Sequence, residues 1–490
     1  MRLPTALLLA LSALAGCARE PSTEAQVGAS PAPAPSPDHT TFIAAVDALA
    51  AEALTRGSIA GLSIAVFRGG ESILARGYGF SDRAAARAAS PDTSYPVASV
   101  SKMFTAAAIL RLADQGNLRL DDPLATFFPY ARPVIGRLTV RQLLSHTSGL
   151  TRGGPAPRAA AQSVLRRGGT ALAPGQRWDY SNYNFSLLGL VVEQASGRSY
   201  ADYVREELAG PLGLTNTGYC EDGTAVPGRG LDYEAGRHGP QPTTYWTSPR
   251  FFASGGLCSS VRDLVRWQDA LEEGRVVSAA AAQSMRTPTR LADGQDADYG
   301  YGLRLGWTAG HRKVGHTGGG KSNKAVLARY PEDDVTIAVL LNTERTGAAV
   351  AATDLEVAIA RLLFSVPDPG PPGVPLAPQD LSRYTGQYRD GPRLMRVVSE
   401  DGALKLRVGP GRREISPLIA QGGDVFVDGE EPSLHLRFQM AGDKARGYAR
   451  YHNGWFVGAG VRTGDLPAGG DTPSPARRRR PVRRPAATKN

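Results

Sequence analysis

Pro96-Val97-Ala98-Ser99-Val100-Ser101-Lys102 runs directly into Met103-Phe104-Thr105-Ala106-Ala107-Ala108-Ile109-Leu110-Arg111-Leu112, and Gly116 follows four residues later. Met103, Phe104, Ala107 and Leu110 recur at helical spacing, which predicts a helix over 100–112 that begins directly after Ser99 and ends at Gly116. One turn separates Ser99 from Lys102, so the two share a face: an ammonium sits beside the hydroxyl, and the helix N-terminus favours negative charge developing on its oxygen. A serine needs such help to act as a nucleophile. No other of the seven lysines has a serine three residues before it. The letters alone are weak, because a helix-capping serine followed by a solvated lysine is spelled the same way.

Outward from this helix the pattern changes period. Phe42, Val46, Leu49 and Ala53 recur at helical spacing; Leu62, Ile64 and Val66 then alternate before Gly69-Gly70 and a second run over 72–80, so a helix followed by a β-hairpin is expected. Helical and loop segments are expected to continue to about residue 285. Strands return over 299–342, ending in the buried-type run Val335–Leu341, and a closing helix is expected over 355–363. Strands at both ends with helices between them predict one sheet assembled from distant segments. Pro367, Pro369, Pro371, Pro372, Pro375 and Pro378 place a linker at 366–378. Beyond it, 395–398, a turn at Asp401-Gly402, 404–408 and 434–438 alternate apolar with polar residues. They predict a small antiparallel β domain over 379–465, a barrel or a sandwich, with no evident catalytic constellation.

The chain has 490 residues, 42% apolar and 21% charged, which excludes disorder, collagen and coiled coil as whole-chain descriptions. Its formal charge of +10 is local. Arg477 to Arg480, Arg483, Arg484 and Lys489 carry seven positive charges in a tail, 466–490, expected to be disordered; without these and Arg2, 48 basic side chains face 46 acidic ones. Such a body offers no footprint for a specific nucleic acid. Met1-Arg2 and the apolar run 7–14 have the charged start and short core of a secretory signal. The run closes in Leu14-Ala15-Gly16-Cys17, which resembles the bacterial lipobox, where the cysteine becomes the lipidated first residue; ordinary cleavage at small residues is the alternative. The expectation is a signal segment, 1–17, a Pro/Ala-rich linker, 18–40, and a body, 41–365, exported and held to the cell envelope on the periplasmic side by lipid on Cys17. The remaining Cys220 and Cys258 are expected to form a disulfide, which an exported compartment permits, with two buried thiols as the alternative. The histidines and cysteines show no metal-ligand spacing.

Three further motifs follow the serine in order. Leu143-Leu144-Ser145-His146-Thr147-Ser148-Gly149-Leu150 comes first, then Tyr180-Ser181-Asn182 between the turn Pro174-Gly175 and an apolar helix over 185–192, then His316-Thr317-Gly318-Gly319. With these four motifs in this order, residues 41–365 resemble the class C β-lactamase and penicillin-binding-protein-like serine hydrolases. The resemblance implies an α/β (α+β) class and a two-lobed β-lactamase/transpeptidase-like fold, an antiparallel sheet with flanking helices plus a helical lobe, followed by the all-β domain. It implies that Ser99 is acylated and that Lys102 and Tyr180 form the base system. Asn182 would hold a substrate amide oxygen, with His316, Thr317 and Gly318 lining the substrate. The backbone N–H groups of Ser99 and Gly319 would form an oxyanion hole, where a donor is typically worth about 3 kcal/mol. No cofactor is implied. The partner is a small-molecule or peptide substrate, peptidoglycan fragments included, cleaved at an ester, an amide or a cell-wall peptide bond.

One position departs from the best-known members: His316 stands where they have a lysine. A histidine of ordinary pKa is mostly neutral at pH 7, so substrates without a free carboxylate near the scissile bond are expected to be favoured over penicillins. His146 reads as a structural hydrogen-bonding residue rather than a base. Two other classes compete. Gly315-His316-Thr317-Gly318-Gly319-Gly320-Lys321-Ser322 spells the phosphate-loop pattern in full, but its lead-in, 310–314, is polar, Pro331 cuts short any helix after it, and the strand ending at Leu341 is followed by Asn342 rather than an aspartate. A non-catalytic lipoprotein that holds cell-wall peptides in the same cleft would not need Ser99, Lys102, Tyr180 and Asn182 together.

Overall fold

A computed structural model describes residues 39–57, 59–151, 154–220, 226–237, 239–245, 250–344, 352–367, 373–390, 393–409 and 415–466. Cys17, the signal segment, nearly all of both the 18–40 linker and the basic tail, and residues 368–372 of the proline-rich linker lie outside the described residues.

The body is built on a sheet whose strands come from opposite ends of the body sequence. β1 (Gly61–Arg68) and β2 (Glu71–Asp82) form the expected hairpin; β3 (Arg304–Thr308), β4 (His311–Gly320), β5 (Asn323–Tyr330) and β6 (Val335–Leu341) form a meander. Antiparallel pairing of β1 with β6, Leu62 opposite Leu341 and Arg68 opposite Val335, joins the two groups in the order β3-β4-β5-β6-β1-β2. β6 is apolar on both faces because both are covered. On one face α1 (His39–Gly57) and α5 (Ala352–Leu363) lay Phe42, Val46, Leu355 and Ile359 against Ile64, Ile337 and Val339. On the other, Ala65, Leu327, Ala338 and Leu340 meet the helical lobe.

Helix α2 (Ser101–Asp114) runs through the middle of that lobe and is buried from Ser101 through Leu110, which explains its lack of a polar face. Phe104 stacks on Trp267 of α4 (Val261–Glu272) with ring centroids 3.9 Å apart, and α3 (Asn182–Ser196) packs alongside before Gly197 ends it in the left-handed region. The stretch expected to be helix and loop up to residue 285 also holds short strands. Tyr95–Pro96, Leu257–Ser259 and Gly218–Tyr219 form one three-stranded sheet, and Asp232–Gly236, Gly239–Thr243 and Thr343–Glu344 form another. Strands of two to five residues are too short to show a period of two, which is why the sequence does not announce them.

The C-terminal region is an eight-stranded antiparallel barrel: β7 (Gly386–Asp390), β8 (Arg393–Glu400), β9 (Ala403–Val408), β10 (Ile415–Gly422), β11 (Val425–Asp428), β12 (Leu434–Ala441), β13 (Lys444–His452) and β14 (Trp455–Gly464). Each strand pairs with the next, and β7 pairs with β14 to close it. Closure removes the free edges that an open sheet would leave. The inward residues Tyr388, Val397, Leu406, Phe426, Leu436 and Tyr448 fill it. The barrel meets the body where Gly306 of β3 faces Trp455 of β14. A Cβ on Gly306 would lie 1.9 Å from the Gly454 carbonyl oxygen, so this seam closes only between bare backbones. No helix among the described residues is long and apolar enough to cross a membrane.

Candidate active site

Ser99 sits in a 3-10 turn, Ala98–Val100, that leads straight into α2. The turn is pinned from outside: Val97 N–H donates to the Leu257 carbonyl at 3.0 Å, and Ala98 is held at φ 45°, a conformation costly for a residue with a side chain. One turn on, Lys102 is fully buried in α2 and its ammonium nitrogen lies 3.0 Å from Ser99 Oγ. It also donates to Asn182 Oδ1 at 2.9 Å and to the Ser254 carbonyl at 2.6 Å. Tyr180, directly before α3, brings its hydroxyl to 2.8 Å from Ser99 Oγ, while Lys102 Nζ lies 4.8 Å from the centre of its ring. Ser99, Lys102 and Tyr180 therefore form one hydrogen-bonded cluster, with Asn182 joined to it through Lys102. Asn182 Nδ2 donates to the Gly154 carbonyl at 3.1 Å.

Beneath Tyr180 lies His146, its ring centroid 4.4 Å away. Its Nδ1 faces the Ser181 N–H at 3.3 Å and the Asn184 amide nitrogen at 2.9 Å. Two donors aimed at one nitrogen fix that nitrogen as the acceptor and place the ring proton on Nε2. His146 thus orients the start of α3, as a structural hydrogen-bonding residue does.

His316, on β4, is buried, with Nδ1 2.6 Å from the Thr317 carbonyl and Nε2 3.3 Å from the Tyr299 hydroxyl. Burial, and then the nearby charges of Arg304 and Lys102, push its pKa well below the ordinary histidine value, so the ring is neutral at pH 7. Gly318 is pressed against the Val97 carbonyl, and a Cβ there would come within 2.1 Å of that oxygen. This bare contact lets β4 run against the Ala98–Val100 turn and carries the exposed Gly319 alongside it, in register with Lys324 of β5. Thr317 is half-buried on the same strand. The stretch 315–322 is thus strand and turn leading into another strand, not a loop opening a helix, which removes the phosphate-loop reading.

Electrostatically the site is dominated by a residue that no motif announces. Arg304, half-buried at the start of β3 and opposite Gly315 of β4, places its guanidinium carbon 5.1 Å from the centre of the Tyr180 ring. Burial drives Lys102 well below an ordinary lysine pKa, and Arg304 pushes it the same way. Burial raises the Tyr180 phenol; the Arg304 charge, with the side-chain hydrogen bonds that join Tyr180 to Ser99 and to Arg304, opposes the rise. Burial thus disfavours charge on both members of the pair. The Ser254 carbonyl that orients Lys102 is likewise missing from any motif, since a backbone oxygen has no letter.

Cys220 and Cys258 are joined in a disulfide with Cα atoms 5.7 Å apart, both buried. Among the described residues no group of three or more His, Cys, Asp or Glu side chains could hold a metal ion.

A family model described as Beta-lactamase matches residues 46–361. A D-aminopeptidase of Brucella ovis is 28% identical over 414 residues, which cover 79% of this chain and 77% of that protein. Among solved structures, the octameric penicillin-binding protein homologue from Pyrococcus abyssi matches with a TM-score of 0.60 at 24% identity over 86% of this chain and all of its own. The D-amino acid amidase from Ochrobactrum anthropi SV3, complexed with D-phenylalanine, matches with a TM-score of 0.58 at 22% identity over 66% of this chain and 99% of its own. These two likenesses bear on the fold. With the family model spanning well over half of its length, the chain belongs to the β-lactamase family and is a serine hydrolase of that family.

Proposed function

We propose that the protein hydrolyses amide, peptide or ester bonds next to a D-amino acid through an acyl-enzyme at Ser99. The observation that carries this reading is the convergence of Lys102 Nζ, at 3.0 Å, and Tyr180 Oη, at 2.8 Å, on Ser99 Oγ, both within reach for proton transfer. As Oγ bonds to the substrate carbonyl carbon, its proton passes to the Lys102–Tyr180 pair, and the carbonyl π electrons move onto oxygen beside the Ser99 and Gly319 N–H groups. When that intermediate collapses, the bond to the leaving amine or alcohol breaks and the departing group takes the proton. A water then repeats the cycle on the acyl-enzyme and frees Ser99. The preference for D-configured substrates is supported by the similarity to the Brucella ovis D-aminopeptidase.

The test is a panel of D- and L-amino acid amides, a short-chain ester and a penicillin, with intact-mass detection of an adduct at Ser99. Hydrolysis of D- over L-amides, abolished in Ser99→Ala without loss of folding, is the expected result. Retained turnover in that variant places the nucleophile elsewhere, and binding without turnover of any of these turns the reading to a non-catalytic receptor of cell-wall peptides. The same proposal puts the protein in the cell envelope, anchored by lipid on Cys17, on the strength of Leu14-Ala15-Gly16-Cys17. Cys17→Ser should move it from the membrane fraction to the soluble one.

A further inference from the structure

Where relatives with a lysine in the third motif keep a permanent cation, this chain has a buried histidine. A permanent cation is nevertheless present, delivered by the neighbouring strand. Arg304 leaves β3 opposite Gly315, the residue before His316, and reaches the face of the Tyr180 ring. Its guanidinium nitrogen Nη1 donates to the backbone carbonyl of Phe456, which belongs to β14 of the C-terminal barrel and is fully buried. Phe456 in turn packs its ring on Trp178, with centroids 4.8 Å apart, in an aromatic cluster that includes Tyr299 and borders Tyr180.

The groups facing Tyr180 come from every side: Ser99 and Lys102 from the nucleophile helix and its turn, His146 from below, Tyr299, His316 from β4, and Arg304 from β3. Both histidines are held in neutral form by burial, and Arg304 is a charge that acts on both Lys102 and Tyr180. A guanidinium is a permanent cation.

We propose that Arg304 is the fixed cation of this site, a positioning residue that keeps the proton shared by Ser99, Lys102 and Tyr180 loosely held, and that the C-terminal barrel keeps it in place through the Phe456 carbonyl. The inference rests on the Ser99 acyl-enzyme reading. Its physical content is one-directional. A cation about 5 Å from the cluster opposes a second positive charge on Lys102 and favours a negative one on Tyr180, so both effects lower the proton affinity of the pair, whichever atom holds the proton. The barrel then belongs to the catalytic machinery through a backbone oxygen.

The experiment measures the rate at which a fluorophosphonate labels Ser99 of the full chain between pH 5 and pH 10, followed by intact mass, for the unmodified protein, Arg304→Gln, Arg304→Met and Arg304→Lys. Removing the cation should tighten the proton on the base, so the acidic limb of the profile moves to higher pH by about one to two units in the Gln and Met variants. Their labelling should fall roughly tenfold or more on that limb and approach the unmodified rate above it, while Arg304→Lys restores most of the limb's position. Two neutral variants keep the test open should one of them fail to fold. A uniform loss of rate with the limb unmoved overturns the proposal and reduces Arg304 to a packing residue; an equal shift in the Lys variant overturns it as well. Labelling of the unmodified protein at a residue other than Ser99 overturns the acyl-enzyme reading and this inference together, and is recognised before any Arg304 variant is compared.

Discussion

Lys102 is held by three acceptors in a place where burial and Arg304 both work against its charge, and the conflict has a consequence that can be separated from catalysis. In the unfolded chain the amine binds its proton with the ordinary pKa of 10.5; in the folded protein it binds it less tightly. Between the depressed folded value and 10.5 the unfolded state therefore carries more protons, and the Lys102 contribution to stability rises with pH across that window. Lys102→Met deletes this term. Whatever the three lost hydrogen bonds cost at every pH, the melting temperature of the variant relative to the parent should be highest near neutrality and decline as the pH approaches 10.5. A difference that stays constant across this window would mean that the folded lysine titrates normally, and a relative melting temperature that rises with pH would mean that the fold holds its proton more tightly. The residues of this cluster were legible because Ser99 and Lys102 are local neighbours on one helix and Tyr180 opens another, so spacing along the chain maps onto spacing in the molecule. Arg304 was not, since Tyr301-Gly302-Leu303-Arg304 has no pattern of its own. Its meaning comes from a carbonyl 152 residues away.

The elements around the nucleophile show the same division. The long strands and the buried helix declared themselves by period, whereas the three-stranded sheet under Ser99 is made of fragments that pair only through the fold. In that sheet Pro96 stands opposite Cys258, and Cys258 is opposite Gly218, two residues before its disulfide partner Cys220. The disulfide therefore ties together the strands that fix the approach to Ser99 and the 251–254 turn whose Ser254 carbonyl orients Lys102. Its sequence separation is 38 residues, for which the chain-entropy model assigns about 3 to 4 kcal/mol. Replacing both cysteines by serine should lower the melting temperature by several degrees and slow acylation more than substrate binding, because what loosens is the bed of the nucleophile. Thiol titration of the oxidised, denatured protein should find neither Cys220 nor Cys258 free. Two free thiols, or an unchanged melting temperature in the double variant, would remove the bridge from this account.

At the scale of the molecule, body and barrel are coupled by more than a seam. Trp455, the first residue of β14, is buried and packs into the core between the sheet and α5. Its indole N–H donates to Glu356 of α5 at 3.1 Å, and Lys313 of β4 lies 4.2 Å from its ring centre. Lys313 and Glu356, both fully buried, pair at 2.9 Å, and Lys313 also donates to the Asn453 carbonyl in the turn before β14. A buried ion pair is tolerable only when its remaining hydrogen-bonding capacity is met, and here the barrel meets part of it. The proline run at 366–378 marks a linker in sequence, yet the described residues on either side of it belong to one compact unit. Unfolding should therefore be a single transition, with tryptophan fluorescence and far-ultraviolet circular dichroism coinciding. Trp455→Ala should lower that whole transition by about 3 to 5 kcal/mol for the cavity, and further for the hydrogen bond Glu356 loses. Trp455→Phe, which keeps most of the packing and loses the N–H, should fall between the two. Two separated transitions in the unmodified protein, with Trp455→Ala shifting only the one that belongs to the barrel, would show that the ion pair of the body stands without the barrel and that the two regions fold independently.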